Sequence, residues 1–327
     1  MLHILNGDST AQTFRQSGLP GEQLVWKEAL IWGPTPAEPN VSQWCRLRAD
    51  FLAGSNGMDA ERCFENLMQQ ESAVATLESH EEVVLWFEFD LFCQLNLIYV
   101  LGKLRSCNLA GTRLSLICIG DFPGIEDFRG LGQLTAEQLA SLFPFREPVT
   151  AEQTDLAQTA WHACSSSNPR DTELLLSQDT TTLPFLRSAL QLHLRRFPSV
   201  KNGLGRIEQT ALECIAGGAA RFPQLFKTWS RPQAGYGLGD TQFWDSLIRL
   251  VQCGRPLLRL DGSEGLVLPD NTAAQAEFTL TETGRSVLTG KSDLWDMAPQ
   301  ELWLGGVQLA PPNPRWRWDE DRQGLVG

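Results

Sequence analysis

The sequence predicts an α/β protein whose N-terminal part is an open, mostly parallel sheet, and three observations carry that prediction. Over the first 150 residues short apolar runs alternate with stretches of helical periodicity, the pattern of strands that return in one direction through crossover helices. From about 150 to 200 only helical periodicity remains. After Pro198 three helical stretches lead to two short β-prone runs set apart by a turn at Asp261-Gly262, an order that resembles a winged helix. The expected architecture is a Rossmann-like or flavodoxin-like sheet over 1–148, a helical connector over 149–200, and a winged-helix-like domain with a Trp-rich tail over 201–327.

Each element has its own signal. Leu2 to Leu5 reads as a strand that stops at Asn6-Gly7-Asp8-Ser9, and residues 10–17 read as a short helix. Gln23 to Trp26 is a second strand, closed by Trp32-Gly33-Pro34-Thr35-Pro36. Residues 41–53 and 59–78 are helical and polar on one side, Glu82 to Phe87 is a third strand, and Leu91, Leu95, Ile98 and Leu101 mark a helix over 91–105. Leu114 to Ile119 is the fourth strand, ending at Gly120-Asp121-Phe122-Pro123, and Thr135-Ala-Glu-Gln opens a helix with a capping-box signature. Helices follow at 151–164, 171–178, 183–196, 204–216, 222–229 and 240–253, then strands at 257–260 and 277–281. The tryptophans beyond 299 are expected to cover apolar surface.

Composition narrows the function classes. With 327 residues, 42% hydrophobic and 20% charged, the chain is long enough for about two domains. Its formal net charge of −12 disfavours a nucleic-acid surface spread over the molecule. Residues 201–327 carry 13 basic and 15 acidic side chains, so the winged-helix-like domain reads as an interaction module, and Arg195, Arg196, Lys201 and Arg206 as a solvated cluster. No signal-peptide pattern opens the chain, and its longest apolar stretch is broken by Glu88, Asp90, Gln94 and Asn96. The expectation is a cytoplasmic protein with no membrane contact. Its 8 cysteines include no CxxC pair and read as buried thiols.

Several signatures come close and fail. Gly290-Lys291-Ser292 has Arg285 where a phosphate-binding loop needs glycine, and Gly203-Leu204-Gly205 follows no strand. Gly7-Asp8-Ser9 resembles the nucleophile block of GDS-type esterases, but no Asp has a His three residues on.

What remains is a constellation of strand ends. In an open parallel sheet, ligands bind at the carboxyl ends of the strands. Here those ends supply Asp8 and Ser9, Glu28, Glu88 and Asp90, and Asp121. Acids gathered at one rim repel one another unless a cation, a basic partner or a shared proton relieves them. The expected roles are Asp8, Ser9, Glu88 and Asp90 in catalysis, Asp8 and Asp90 as ligands of a metal such as Mg²⁺, and Glu28, Gln94, Asp121 and Arg129 in binding a small polar or phosphorylated ligand. The competing reading is that Asp8, Asp90 and Asp121 cap helix N-termini. Trp26 and Trp86 read as core. If the chain is an enzyme, the chemistry is that of a metal-assisted hydrolase or transferase. The alternative is a non-catalytic adaptor that holds a protein or nucleic-acid partner through its C-terminal domain.

The segments LHILNGDST, WKEALIWGP, LWFEFDLFCQL, FRGLGQL, RFPSVKNGLGRIEQ and WLGGV together resemble one bacterial family. Its members join an N-terminal domain of unknown function to a second, C-terminal one. The resemblance spans nearly the whole chain and implies no activity. Where that family's third-strand motif leads one to expect another acid, this chain has Cys93.

Overall fold

The computed structural model describes residues 1–37, 40–57, 59–107, 109, 111–262, 275–298, 300–311 and 315–327. The N-terminal part runs β1 (Leu2–Asn6), α1 (Asp8–Gln16), β2 (Glu22–Trp26), α2 (Val41–Asn56), α3 (Ala60–Ala75), β3 (Glu82–Glu88), α4 (Leu91–Leu104), β4 (Arg113–Ile119), α5 (Ala136–Leu142) and β5 (Glu147–Pro148). The sheet order is β2-β1-β3-β4-β5. The first four strands are parallel, with Leu2 beside both Glu22 and Val83, and Val83 beside Leu114. β5 is antiparallel to β4 and pairs only Ser115 with Pro148 and Leu116 with Glu147. Sequence patterning does not reveal this strand, because two residues ending in proline carry no period.

β3 is buried along its whole length, as a strand covered on both faces must be. One face, with Leu5, Val84 and Trp86, meets Phe14 of α1 and Leu139 of α5. The other, with Ile4, Leu85 and Phe87, meets α4 and continues into the core of the remaining chain. Trp86 is wholly buried and donates to His3 Nδ1, and Trp26 lies against Tyr99, so both tryptophans belong to the core. α5 carries the expected capping box between Thr135 and Gln138.

The connector is helical, with α6 (Ala151–Ser165), α7 (Arg170–Leu176) and α8 (Leu186–Leu194). The last begins three residues later than its periodicity implies, after Pro184. Then come α9 (Arg206–Ala216), α10 (Phe222–Ser230), α11 (Asp240–Gln252), the antiparallel pair β6 (Leu258–Asp261) and β7 (Glu277–Leu280), α12 (Glu282–Leu288) and α13 (Leu294–Met297). The tail folds as two short antiparallel pairs, β8 (Leu302–Leu304) with β9 (Val307–Leu309) and β10 (Arg317–Asp319) with β11 (Gly324–Val326). Trp316 and Trp318 are buried there. Among the described residues no helix is long and apolar enough to cross a membrane.

Candidate functional site

The carboxyl ends of β1, β2 and β3 are joined by one buried polar chain. At the end of β2, Glu28 Oε1 accepts from Arg48 Nη2 at 2.7 Å and from the Ala29 amide at 2.8 Å. Arg48 is fully buried and also donates to the carbonyls of Ala29, Trp32 and Pro34. Glu28 and Arg48 therefore clamp the loop after β2. From the Glu28 carbonyl the chain continues to Asn96 Nδ2, which also donates to Asn6 Oδ1, both at 2.8 Å. Asn6 at the end of β1 donates to Cys93 Sγ at 2.8 Å, and the Cys93 thiol donates to Glu88 Oε2 at 2.5 Å. Glu88 Oε1 accepts from the Leu131 amide at 2.8 Å.

Asp90 stands two residues beyond the end of β3 and caps α4, its Oδ1 accepting from the Cys93 amide at 2.8 Å. Capping does not remove it from the cluster. Ligand atoms of Glu88, Asp90 and Cys93 lie within 4.8 Å of one another, all three residues buried. Gln94 is buried as well, and its Nε2 donates to the Glu88 carbonyl at 2.7 Å, fixing the turn between strand and helix.

Two glycines close the site. A Cβ at Gly130, where φ is +152°, would lie 3.0 Å from Glu88 Oε1, and one at Gly237, where φ is +66°, would lie 2.1 Å from Asp90 Oδ1. Both positions use backbone conformations that side chains rarely adopt, and each lets main chain pack directly on a carboxyl group. Gly237 follows the short turn Ala234–Tyr236 between α10 and α11, so the C-terminal region forms one wall.

The electrostatics follow from burial. Loss of hydration pushes the Glu88 carboxyl up from its ordinary range, and hydration loss together with the Glu88 charge pushes Asp90 up to about 7. Burial and the two carboxyls hold the Cys93 thiol well above its usual value. Among the described residues, neither carboxyl forms an ion pair. Their compensation comes from N–H groups at the start of α4 and at Leu131. Such a site is satisfied by a shared proton or by a cation that displaces it.

The other expected residues stand elsewhere. Asp8 is exposed and pairs with exposed Lys27 at 2.9 Å on the rim of a separate pocket that also includes Arg62 and Gln70. It does not join the Glu88 cluster, and Gly7, not Asp8, occupies the N-cap of α1. Ser9 is exposed and packs close to Gly132, where an added Cβ would fall 2.2 Å from Ser9 Oγ. Asp121 is exposed and precedes a turn, not a helix, so it neither caps nor converges. Arg129 reaches Ser230 Oγ at 3.3 Å. Asn6, Asn96, the Leu131 amide and Gly237 are not among the residues that sequence patterning picks out. Asn6 and Asn96 carry a signal, as amides at a strand end and inside an apolar helix, but Gly237 carries none.

The segments LHILNGDST, WKEALIWGP, LWFEFDLFCQL and FRGLGQL contribute Asn6, Glu28, the Glu88 cluster and Leu131 to this one network. A scan against protein-family models and a search of curated proteins found no match to the chain.

Proposed function

We propose that the protein binds a divalent cation at Glu88, Asp90 and Cys93, and through it a small polar ligand at the carboxyl ends of the sheet. The observation that carries this reading is the convergence of three buried ligand-capable groups, with no basic side chain among the described residues paired to either carboxyl. Two oxygens and a sulfur suit Zn²⁺ better than Mg²⁺, because a thiolate selects borderline and soft ions. Binding would replace protons now held by the cluster, so metal uptake is coupled to proton release. The β2-β1-β3-β4-β5 order is that of flavodoxin-like sheets, whose ligand crevice lies between β1 and β3. Asn6 and Glu88 flank that position. Turnover of the ligand, as a metal-assisted hydrolase or transferase, is the enzymatic form of the proposal, and membership in the bacterial family named above fits the shared placement of its motifs.

The test is elemental analysis and calorimetry of the purified chain with Zn²⁺, Mn²⁺ and Mg²⁺ in buffers of different ionisation enthalpy. The expected result is one Zn²⁺ per chain, bound more tightly than Mg²⁺, with proton release, and lost in Glu88→Gln, Asp90→Asn and Cys93→Ser but kept in Asp8→Asn. Absence of uptake by the wild type, or uptake indifferent to the three cluster substitutions, overturns it.

The adaptor reading has an observation of its own. Arg221, between α9 and α10, forms an antiparallel bridge with Glu277 at the start of β7, a contact that supports the winged-helix-like reading of this region. Yet Asp245 on α11, the helix such domains use to read DNA, accepts from Trp32 Nε1 at 3.0 Å. The helix is engaged within the molecule, which favours a protein partner over nucleic acid in this alternative.

A further inference from the structure

Glu88, Asp90 and Cys93 are each at most 5% exposed, so in a close-packed interior a cation reaches them only when one wall of the site moves. The two walls are held differently. The loop after β4 is bonded into the site through the Leu131 amide, and Leu131 is itself fully buried in the cluster that holds Trp86, Phe128 and Leu139. The other wall is the segment 233–239 between α10 and α11, which meets Asp90 through the packing of Gly237.

Three features make 233–239 the wall that lifts. Its main-chain bonds lie within the turn: the Tyr236 amide donates to the Gln233 carbonyl and the Gly237 amide to the Ala234 carbonyl, both at 3.0 Å. The turn therefore moves as a unit without breaking them. Glycines at 235, 237 and 239 let its backbone rotate where other residues resist. Tyr236 is fully buried, and its hydroxyl has no partner among the described residues. Leaving a buried hydroxyl unbonded is costly, and lifting the turn returns it to water, which brings the open state closer in free energy.

Two contacts oppose the opening by tying the end of α10 to the loop after β4. Arg231 pairs with Asp127 at 2.9 Å, and Arg129 Nη1 donates to Ser230 Oγ at 3.3 Å. Arg231 and Asp127 are both exposed, so their pair is weak and screened by salt. A latch of this strength releases without unfolding either wall.

We infer that 233–239 is a lid over the Glu88 cluster, latched by the pairing of Arg231 with Asp127 and of Arg129 with Ser230, and that its lifting sets the rate at which a cation enters or leaves. What passes the lid rests on the metal-binding reading above. The lid itself has a separate readout, the solvent access of the Cys93 thiol in metal-free protein.

The test is alkylation of the metal-free, full-length chain by iodoacetamide in alkaline buffer. Peptide mass spectrometry follows Cys93 against Cys164, a buried thiol on α6 that reports wider unfolding. In the wild type Cys93 is expected to react about tenfold faster than Cys164, with little dependence on urea below the unfolding transition, as a local opening requires. Tyr236→Phe removes the unbonded hydroxyl and keeps the ring, and is expected to slow Cys93 about fivefold or more. Asp127→Asn combined with Arg129→Gln is expected to speed it about two- to fivefold. Zn²⁺ uptake and release, followed by stopped flow with a chromogenic chelator, are expected to shift in the same directions. A Cys93 rate equal to that of Cys164, or one that does not fall in Tyr236→Phe and rise in the latch variant, overturns the lid. Zn²⁺ exchange indifferent to both variants overturns its gating role and leaves the metal site standing, whereas the expected thiol rates without any Zn²⁺ uptake keep the lid and overturn the metal reading.

Discussion

β3 carries a buried glutamate at each end, and the two live in opposite environments. Glu82, where the strand begins, accepts from Arg146 Nε and Ser115 Oγ, each at 2.8 Å, with Arg113 at 3.4 Å. These partners outweigh the burial, and its carboxyl is held below the ordinary range. Glu88, where the strand ends, has only uncharged partners among the described residues, the Cys93 thiol, the Leu131 amide and the Asn6 side chain, with another carboxyl as neighbour, and burial pushes its carboxyl up. Burial is common to both, so burial does not mark a site. The difference is the cation: Glu82 has guanidinium groups from the loop before β5 and from β4, whereas Glu88 leaves its charge to a proton or to something the protein binds.

The largest effect is expected at a third buried glutamate, Glu28, which has the buried guanidinium of Arg48 as its partner. Arg48→Met strands Glu28 in the core and is expected to cost about 3–5 kcal/mol in urea denaturation, the usual loss when one partner of a buried pair is removed. Glu82→Gln comes next, at about 2 kcal/mol near neutral pH, because Arg146 is partly exposed and recovers some solvation. Its pH dependence has a definite sign. A carboxyl whose folded pKa is lowered stabilises above its unfolded value near 4.5, and that stability is lost as pH falls through the folded value. The penalty of Glu82→Gln therefore shrinks in acid.

Asp90→Asn sharpens the comparison from the other side. A raised folded pKa means that the protonated form stabilises the fold below the unfolded value of 3.8, and this contribution is lost as pH rises to about 7. Asparagine keeps the cap and carries no charge, so its stability relative to wild type is expected to rise by about 4 kcal/mol between pH 4 and pH 8 in metal-free buffer. A parallel shift of both chains across that range would place Asp90 with the ordinary caps. The smallest effect is that of Cys93→Ser, about 1 kcal/mol or less, because the hydroxyl still donates to Glu88 and accepts from Asn6. Its expected signature is the loss of Zn²⁺ uptake.

Much of the fold was legible. The alternation of apolar runs with helical periods located β1 to β4 and the helices around them, because a strand buried on both faces must be apolar throughout and a crossover helix must bury a stripe. Bounds shifted where Pro184 delays α8, and the tail pairs β8–β9 and β10–β11 were too short to show a period. The site was legible only as a set of strand ends. Glu88, Asp90 and Gln94 do meet, but Asp8 turns to Lys27 and Asp121 to solvent. A strand end fixes where a backbone stops, and the rotamer and the next residue's dihedral decide where the side chain goes.

The sequence by itself determined which residues form strands and helices and which acids stand at the carboxyl ends of the sheet. Those are local matters of period and composition. Only the tertiary structure decided which acids acquire a cation. Arg48 reaches Glu28 from 20 positions away, and Arg146 reaches Glu82 from 64. Glu88 and Asp90 are instead met by Leu131 and by Gly237, neither of which brings a charge. Charge compensation in a core depends on distances of a few ångströms between segments remote in the chain, and no local pattern encodes those distances.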